Sequence, residues 1–191
     1  MCLSVGAKGV IGEQRVVNVL NTLSRGCELY TLYNVILPSS SDNVTQIDAL
    51  VFSKKVLLCI EVKAWTCLQI DIPDNTRASW KATYASQDVV NSASPIKQND
   101  YHLDVIRSCS DNGYLYEPFV VFTENLKITN RQPNVGSLTD LVHYITDKPD
   151  IYGSDFIKKE YEFMKSLSEQ YYSNFVIREF NRFKSDLTDL F

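Results

Sequence analysis

Residues 46–65 read Q-I-D-A-L-V-F-S-K-K-V-L-L-C-I-E-V-K-A-W, and the fold turns on how this stretch is read. Ile47 and residues 49–52 form one apolar run, residues 56–62 form another broken only by Glu61, and Ser53, Lys54 and Lys55 between them suit a hairpin loop. Three charges interrupt the pattern: Asp48, Glu61 and Lys63. A loop of even length centred between Lys54 and Lys55 sets opposite one another residues whose numbers sum to 109, which pairs Asp48 with Glu61 and Gln46 with Lys63. All four then share one face, because side chains alternate along a strand. Like charges directly opposite each other destabilise a sheet, and buried carboxylates do so more unless a cation sits between them. From the residues alone two readings stand. One is a metal site; the other is a solvated face on which Lys63 neutralises Glu61 or Asp48. The Lys-Lys turn also lacks the Asn or Gly that fixes a two-residue loop, and a three-residue loop shifts the pairing by one.

Composition narrows the classes. A chain of 191 residues with 45% hydrophobic and 22% charged residues suits one domain with an appendage and can bury a core. We expect a cytoplasmic protein without a membrane span, since no apolar run is long enough and the start, Met1 to Gly6, lacks the basic and apolar regions of a secretory signal. The five cysteines (2, 27, 59, 67 and 109) include no Cys-x-x-Cys pair, which argues against a disulfide framework or a structural zinc site. With only His102 and His143 available, any metal is expected to be a hard cation held by oxygen. The net charge of −4 is unhelpful for binding phosphates, so nucleic-acid contact has to rest on local basic residues and a metal.

Residues 9–23 read as a helix with Val16, Val17, Leu20 and Leu23 on one face. Glu13 shares that face, an odd place for a carboxylate unless it lies in an exposed first turn, where negative charge suits the helix dipole. Residues 28–37 are strand-prone and end at Pro38 and a serine-rich loop, residues 39–43. Residues 66–92 have weak periodicity beyond a short strand at 68–72; with Arg77, Trp80 and Lys81 they form either a substrate-facing flap or a decorated loop. Ser94-Pro95 opens a helix to about Arg107 with Ile96, Leu103 and Ile106 inward and Gln98 one turn in. Residues 118–123, P-F-V-V-F-T, suit a buried central strand, and residues 138–145 a short helix entered from Ser137. The last forty residues read as two amphipathic helices, one with Phe156, Phe163, Leu167 and Tyr171, the next with Val176, Phe180, Phe183 and Leu187. Gly6, Gly9 and Gly12 match no phosphate-loop pattern.

In order, Gly9-Val10-Ile11-Gly12-Glu13, Gln46-Ile47-Asp48, Ile60-Glu61-Val62-Lys63 with Trp65, and Pro95-Ile96-Lys97-Gln98 resemble the NERD (nuclease-related) domain, a branch of the PD-(D/E)xK nucleases. The resemblance spans about residues 5–125. Ala49 stands where a His is common, and Cys67 near a position often held by Gly; neither is a presumed metal ligand. It implies an α/β, restriction-endonuclease-like core, a mixed central sheet flanked by helices, over residues 1–150, with a C-terminal helical extension over residues 151–191 that packs on the core or on a partner. It further implies a metal-dependent DNA endonuclease nicking one strand per active site. Asp48, Glu61 and the Val62 carbonyl would bind Mg2+ or Mn2+; Lys63 would orient the attacking water; Glu13 would complete the metal shell; Gln98 would bond the scissile phosphate or Lys63. Gln46, Arg77, Lys81 and Lys97 are the candidate nucleic-acid contacts, and the tail helices the candidate surface for a homodimer or a targeting protein. The competing class is a non-catalytic nucleic-acid-binding or protein-interaction module, for which damage to Asp48, Glu61 or Lys63 would be expected; all three are intact.

Overall fold

A computed structural model describes residues 5–40 and 43–188, and in it the hairpin adopts the even register. Strands β2 (Asn43–Ser53) and β3 (Leu57–Lys63) run antiparallel with Ala49 opposite Ile60, Leu50 opposite Cys59, Val51 opposite Leu58 and Phe52 opposite Leu57. The turn does without Asn or Gly because the Ser53 hydroxyl oxygen accepts from the amides of Lys55 (3.2 Å) and Val56 (3.0 Å), while the Ser53 amide donates to the Val56 carbonyl (3.1 Å). Register then decides the faces. Leu50, Phe52, Leu57 and Cys59 enter one core cluster, and Ala49, Val51, Leu58 and Ile60 enter the other, on the opposite side of the sheet.

Strand β1 (Leu29–Ser40) pairs antiparallel with the free edge of β2. Strand β7 (Tyr116–Phe122) lies parallel to β3, and β9 (Val135–Ser137) parallel to β7, giving the five-stranded mixed order β1-β2-β3-β7-β9. Helices cover both faces, so β3 and β7 read as near-continuous apolar runs. Helix α1 (Val5–Leu23) packs Val16 and Leu20 on one face. On the other lie Leu103, Val105 and Ile106 of helix α2 (Pro95–Cys109), capped by the Ser94 side chain as its sequence predicts. Each such side chain, fully buried, contributes about 1.5–3 kcal/mol. Helix α3 (Leu138–Thr146) starts from Ser137 in a capping box with Asp140.

Two expectations fail. Residues 66–92 are not a decorated loop: strands β4 (Gln69–Asp71), β5 (Trp80–Thr83) and β6 (Val89–Ser92) join β8 (Lys127–Thr129) in a second mixed sheet, β6-β5-β4-β8. Trp80 is fully buried there beside Ile70, Ile72 and Phe122, with its ring N–H donating to the Thr76 carbonyl (2.8 Å). The alternation at 68–72 does give β4, but β5, β6 and β8, strands of three or four residues, are too short to show a period.

The tail is one helix, α4 (Ser154–Thr188), because this stretch has neither Gly nor Pro to break it. Its inward stripe is Ile157, Tyr161, Met164 and Leu167, packed on the sheet; Phe163, expected inward, is 44% exposed because Met164, seven residues after Ile157, takes that seat. Val176 is exposed too, and the side chains of Phe180, Phe183 and Leu187 lie outside the described ones. The Ser168 hydroxyl accepts from the Ile36 amide (2.9 Å), so α4 also caps the outer edge of β1.

Buried Glu160 fastens α4 to the core by accepting from Ser110 Oγ (3.0 Å), Asn112 Nδ2 (2.8 Å) and the Tyr116 hydroxyl (3.0 Å). Glu160→Ala is expected to cost about 3 kcal/mol of unfolding free energy in urea, since three donors lose their acceptor. An unchanged midpoint would mean that the helix is held by apolar packing alone.

Candidate active site

At Asp48 the β2–β3 ladder gives way to a side chain. The pairing stops at Ala49 and Ile60, and Asp48 Oδ2 accepts from the Val62 amide at 2.7 Å, replacing the backbone partner that β2 withdraws. In an extended strand the N–H and C=O of one residue leave by the same edge, so the Val62 carbonyl also faces this gap. One residue earlier, Glu61 is 1% exposed and points to the α2 side with Cys59. Lys63 Nζ sits 2.5 Å from Glu61 Oε1 and donates to Gln98 Oε1 at 3.1 Å, so strand β3 and the first turn of α2 hold one ammonium between them.

The electrostatics follow from burial. Desolvation raises the Glu61 carboxyl to about 7, with the Asp48 charge adding to it and Lys63 offsetting part. Burial raises Asp48 too, against the Val62 hydrogen bond and Lys63, which favour its charge. Glu13 is raised by burial and then by Asp48, which marks it as the third carboxyl group of one cluster. Glu13, Asp48 and Val62 line one small cavity with Tyr33 and Asn34.

Helix α1 delivers Glu13 from its third turn, not from the exposed first turn the sequence allows, because the helix begins at Val5. A close approach makes this possible. A Cβ on Gly12 would lie 2.8 Å from Ala64 Cβ and 2.9 Å from Thr123 Oγ1, so only glycine lets α1 cross the ends of β3 and β7 here. Arg15 locks the crossing, donating to the Thr123 carbonyl (2.8 Å) and pairing with Glu124 (2.6 Å).

Two residues escaped the sequence reading. Asn34 faces Asp48 across β1 and β2, between the pairs Tyr33–Ala49 and Val35–Ile47, with a left-handed backbone (φ 52°) inside a strand. Gln46 binds it, Nε2 donating to Asn34 Oδ1 (2.9 Å), so Gln46 faces β1 and not Lys63. The second is His102, buried on α2 with Nδ1 3.5 Å from Glu61 Oε2. A Gln-Ile-Asp spacing and a helical period of three to four placed both within reach, but neither shows which partner waits across the sheet. Of the proposed nucleic-acid contacts, Lys81 and Lys97 are exposed and Arg77 pairs with Asp100 (2.7 Å).

With this geometry in view, the family comparison is decisive: the model of the nuclease-related domain matches residues 8–123, more than half of the chain. The chain belongs to the NERD family. Comparisons with curated proteins and with solved structures give no match. The NERD match takes in the cluster of Glu13, Asp48, Glu61, Lys63 and Gln98 and ends where β7 ends, before α3 and α4.

Among the described residues no group of three His, Cys, Asp or Glu side chains could hold a metal ion. The smaller donor set of this NERD domain still suits a hard cation. It is all oxygen, two carboxyl groups and a main-chain carbonyl, and, beyond burial, the charge of Asp48 raises the pKa of Glu61, a repulsion that a cation would relieve.

Two predictions follow from this geometry. Gly12→Ala should displace α1 and lower stability by roughly 1–3 kcal/mol, the range for overpacking, read by thermal unfolding. In metal-free protein, Glu61 binds its proton more tightly folded (about 7) than unfolded (4.5), so its contribution to stability is full below pH 4.5 and lost as pH rises through 7. Relative to Glu61→Gln, wild type in EDTA should lose on the order of 3 kcal/mol between pH 4.5 and 8, measured by urea unfolding, with the His102 contribution common to both proteins.

Proposed function

We propose that this NERD protein is a Mg2+- or Mn2+-dependent DNA endonuclease that nicks one strand per active site. The observation that carries the reading is the buried Glu61 carboxyl group set between Asp48 and Lys63, with Lys63 in turn held by Gln98. Mutual repulsion of Asp48 and Glu61 calls for a positive charge, and Lys63 supplies only part of it.

Asp48, Glu61 and the Val62 carbonyl would hold the ion, with Glu13 reaching it directly or through water. Such an ion, when bound, polarises a phosphoryl oxygen and makes hydroxide available near neutral pH. Lys63 would orient the attacking water and offset the negative charge of the transition state. Because Gln98 Oε1 is engaged by Lys63, its Nε2 is the end available to a phosphate oxygen. Lys81 and Lys97 would contact the backbone of the nucleic acid, joined by Arg77 on release from Asp100 and by Gln46 at the β1 side. Residues 1–150 would form the nuclease-related domain and residues 151–191 a helical extension, whose exposed Phe163, Tyr172 and Val176 are the surface for a second copy or a targeting protein. Among the described residues no helix is long and apolar enough to cross a membrane, and the free thiols of Cys27, Cys59, Cys67 and Cys109 suit the cytoplasm.

The test is supercoiled plasmid at low salt with Mg2+ or Mn2+. Wild type is expected to give open circles, with at least a hundredfold loss, about 3 kcal/mol of barrier, in Glu61→Ala and Lys63→Ala and none formed in EDTA. Linear product would point to paired cuts. Intact plasmid, single-stranded DNA and RNA across metals and salt would replace the enzyme reading with that of a binding module.

A further inference from the structure

The interface of α2 with β3 holds two buried polar atoms without a hydrogen-bond partner among the described residues, Glu61 Oε2 and His102 Nδ1. They are 3.5 Å apart, and their residues are 1% and 3% exposed. Leaving either atom unpaired costs about 1–3 kcal/mol. An ordinary N–H···O bond is about 2.9 Å long, so a small rotation of the imidazole serves both at once.

Chemistry decides the direction. With an ion bound, Glu61 is ionised and only accepts, and a neutral imidazole has one nitrogen that donates and one that accepts, so Nδ1 must carry the proton. Well above the ordinary imidazole pKa of about 6.5 the ring is neutral. The ring is carried on a fixed element, because Asn99, one turn earlier on the same face of α2, donates to the carbonyls of Cys59 (3.0 Å) and Phe119 (3.2 Å). At the other end of the carboxyl group, Oε1 meets Lys63.

We propose that His102 is a positioning residue of the candidate metal site: its Nδ1–H donates to Glu61 Oε2 and fixes the plane of the carboxyl group, leaving Oε1 to face Lys63 and the ion. This rests on the metal-dependent reading of Glu61. Outer hydrogen bonds of this kind set ligand orientation in metal sites, and losing one costs about 10–100-fold in metal affinity.

The tautomer is the first test. With only two histidines in the chain, 15N-labelled protein in EDTA at about pH 9, where the Glu61 carboxyl group is ionised, gives two sets of imidazole signals, and His102 is expected to carry its proton on Nδ1. A proton on Nε2 would overturn the proposal whatever the enzyme does. The second test is Mn2+ affinity by titration calorimetry on three variants. His102→Asn places an amide N–H near Nδ1, His102→Gln places one nearer Nε2, and His102→Leu fills the space without a donor. Leu and Gln are expected to lose at least about tenfold in affinity and Asn to restore most of it. Equal affinity in all three would mean that His102 only packs, and the proposal fails. If Leu and Gln do not fold, the wild-type tautomer and the Asn variant decide. Wild type that binds Mn2+ with the expected ranking but leaves plasmid uncut would overturn the nuclease reading alone; wild type that binds no Mn2+ would overturn both.

Discussion

The Glu61 carboxyl group lies almost out of reach of solvent and beside the carboxyl group of Asp48, and much of the molecule is arranged around that cost. A buried carboxylate survives by pairing, by hydrogen bonding or by taking up a proton. Here Lys63 pairs with one oxygen, His102 stands by the other, and the raised pKa shows that compensation is incomplete.

The surrounding elements hold their positions through contacts that tolerate little change. Gly12 lets α1 touch the ends of β3 and β7, Asn99 ties α2 to carbonyls of both strands, and Asn34 takes a left-handed backbone where β1 passes Asp48. The parallel β3–β7 pair is the floor under all of them, with α1 on one face and α2 on the other. Close packing transmits small displacements, so a shift of any one element would be felt at Glu13, Asp48 or Lys63.

The C-terminal helix belongs to the same core through its first half. Glu160, Met164 and Ser168 attach it to the loop after α2 and to the outer edge of β1, so the NERD match ends well before the last residue the core depends on. Covering β1 removes an exposed strand edge, the feature most prone to pair with other chains.

How much was legible divides by the range of the interaction. Alternation and turn length, both local, offered the even β2–β3 register that the Ser53 turn selects, but Asp48 lies beyond the last pair and lines a cavity with Glu13 of α1 while Glu61 turns to α2. The caps at Ser94 and Ser137 and the apolar run of β7 were legible from local pattern. The four motifs in order were enough for the family. Beyond the short strand at 68–72, tertiary structure alone decided that residues 66–92 build a second sheet, because β5 and β6, of four residues each, carry no period of their own. It also decided which side of α4 is buried, since Phe163 and Met164 differ by one residue and only the sheet opposite chooses between them. The same holds at the site. Glu61, Lys63 and Gln98 were named from the chain and His102 was not; that Lys63 bridges Glu61 to Gln98 and that His102 stands at the far oxygen depends on α2 crossing β3, a contact between residues some forty positions apart.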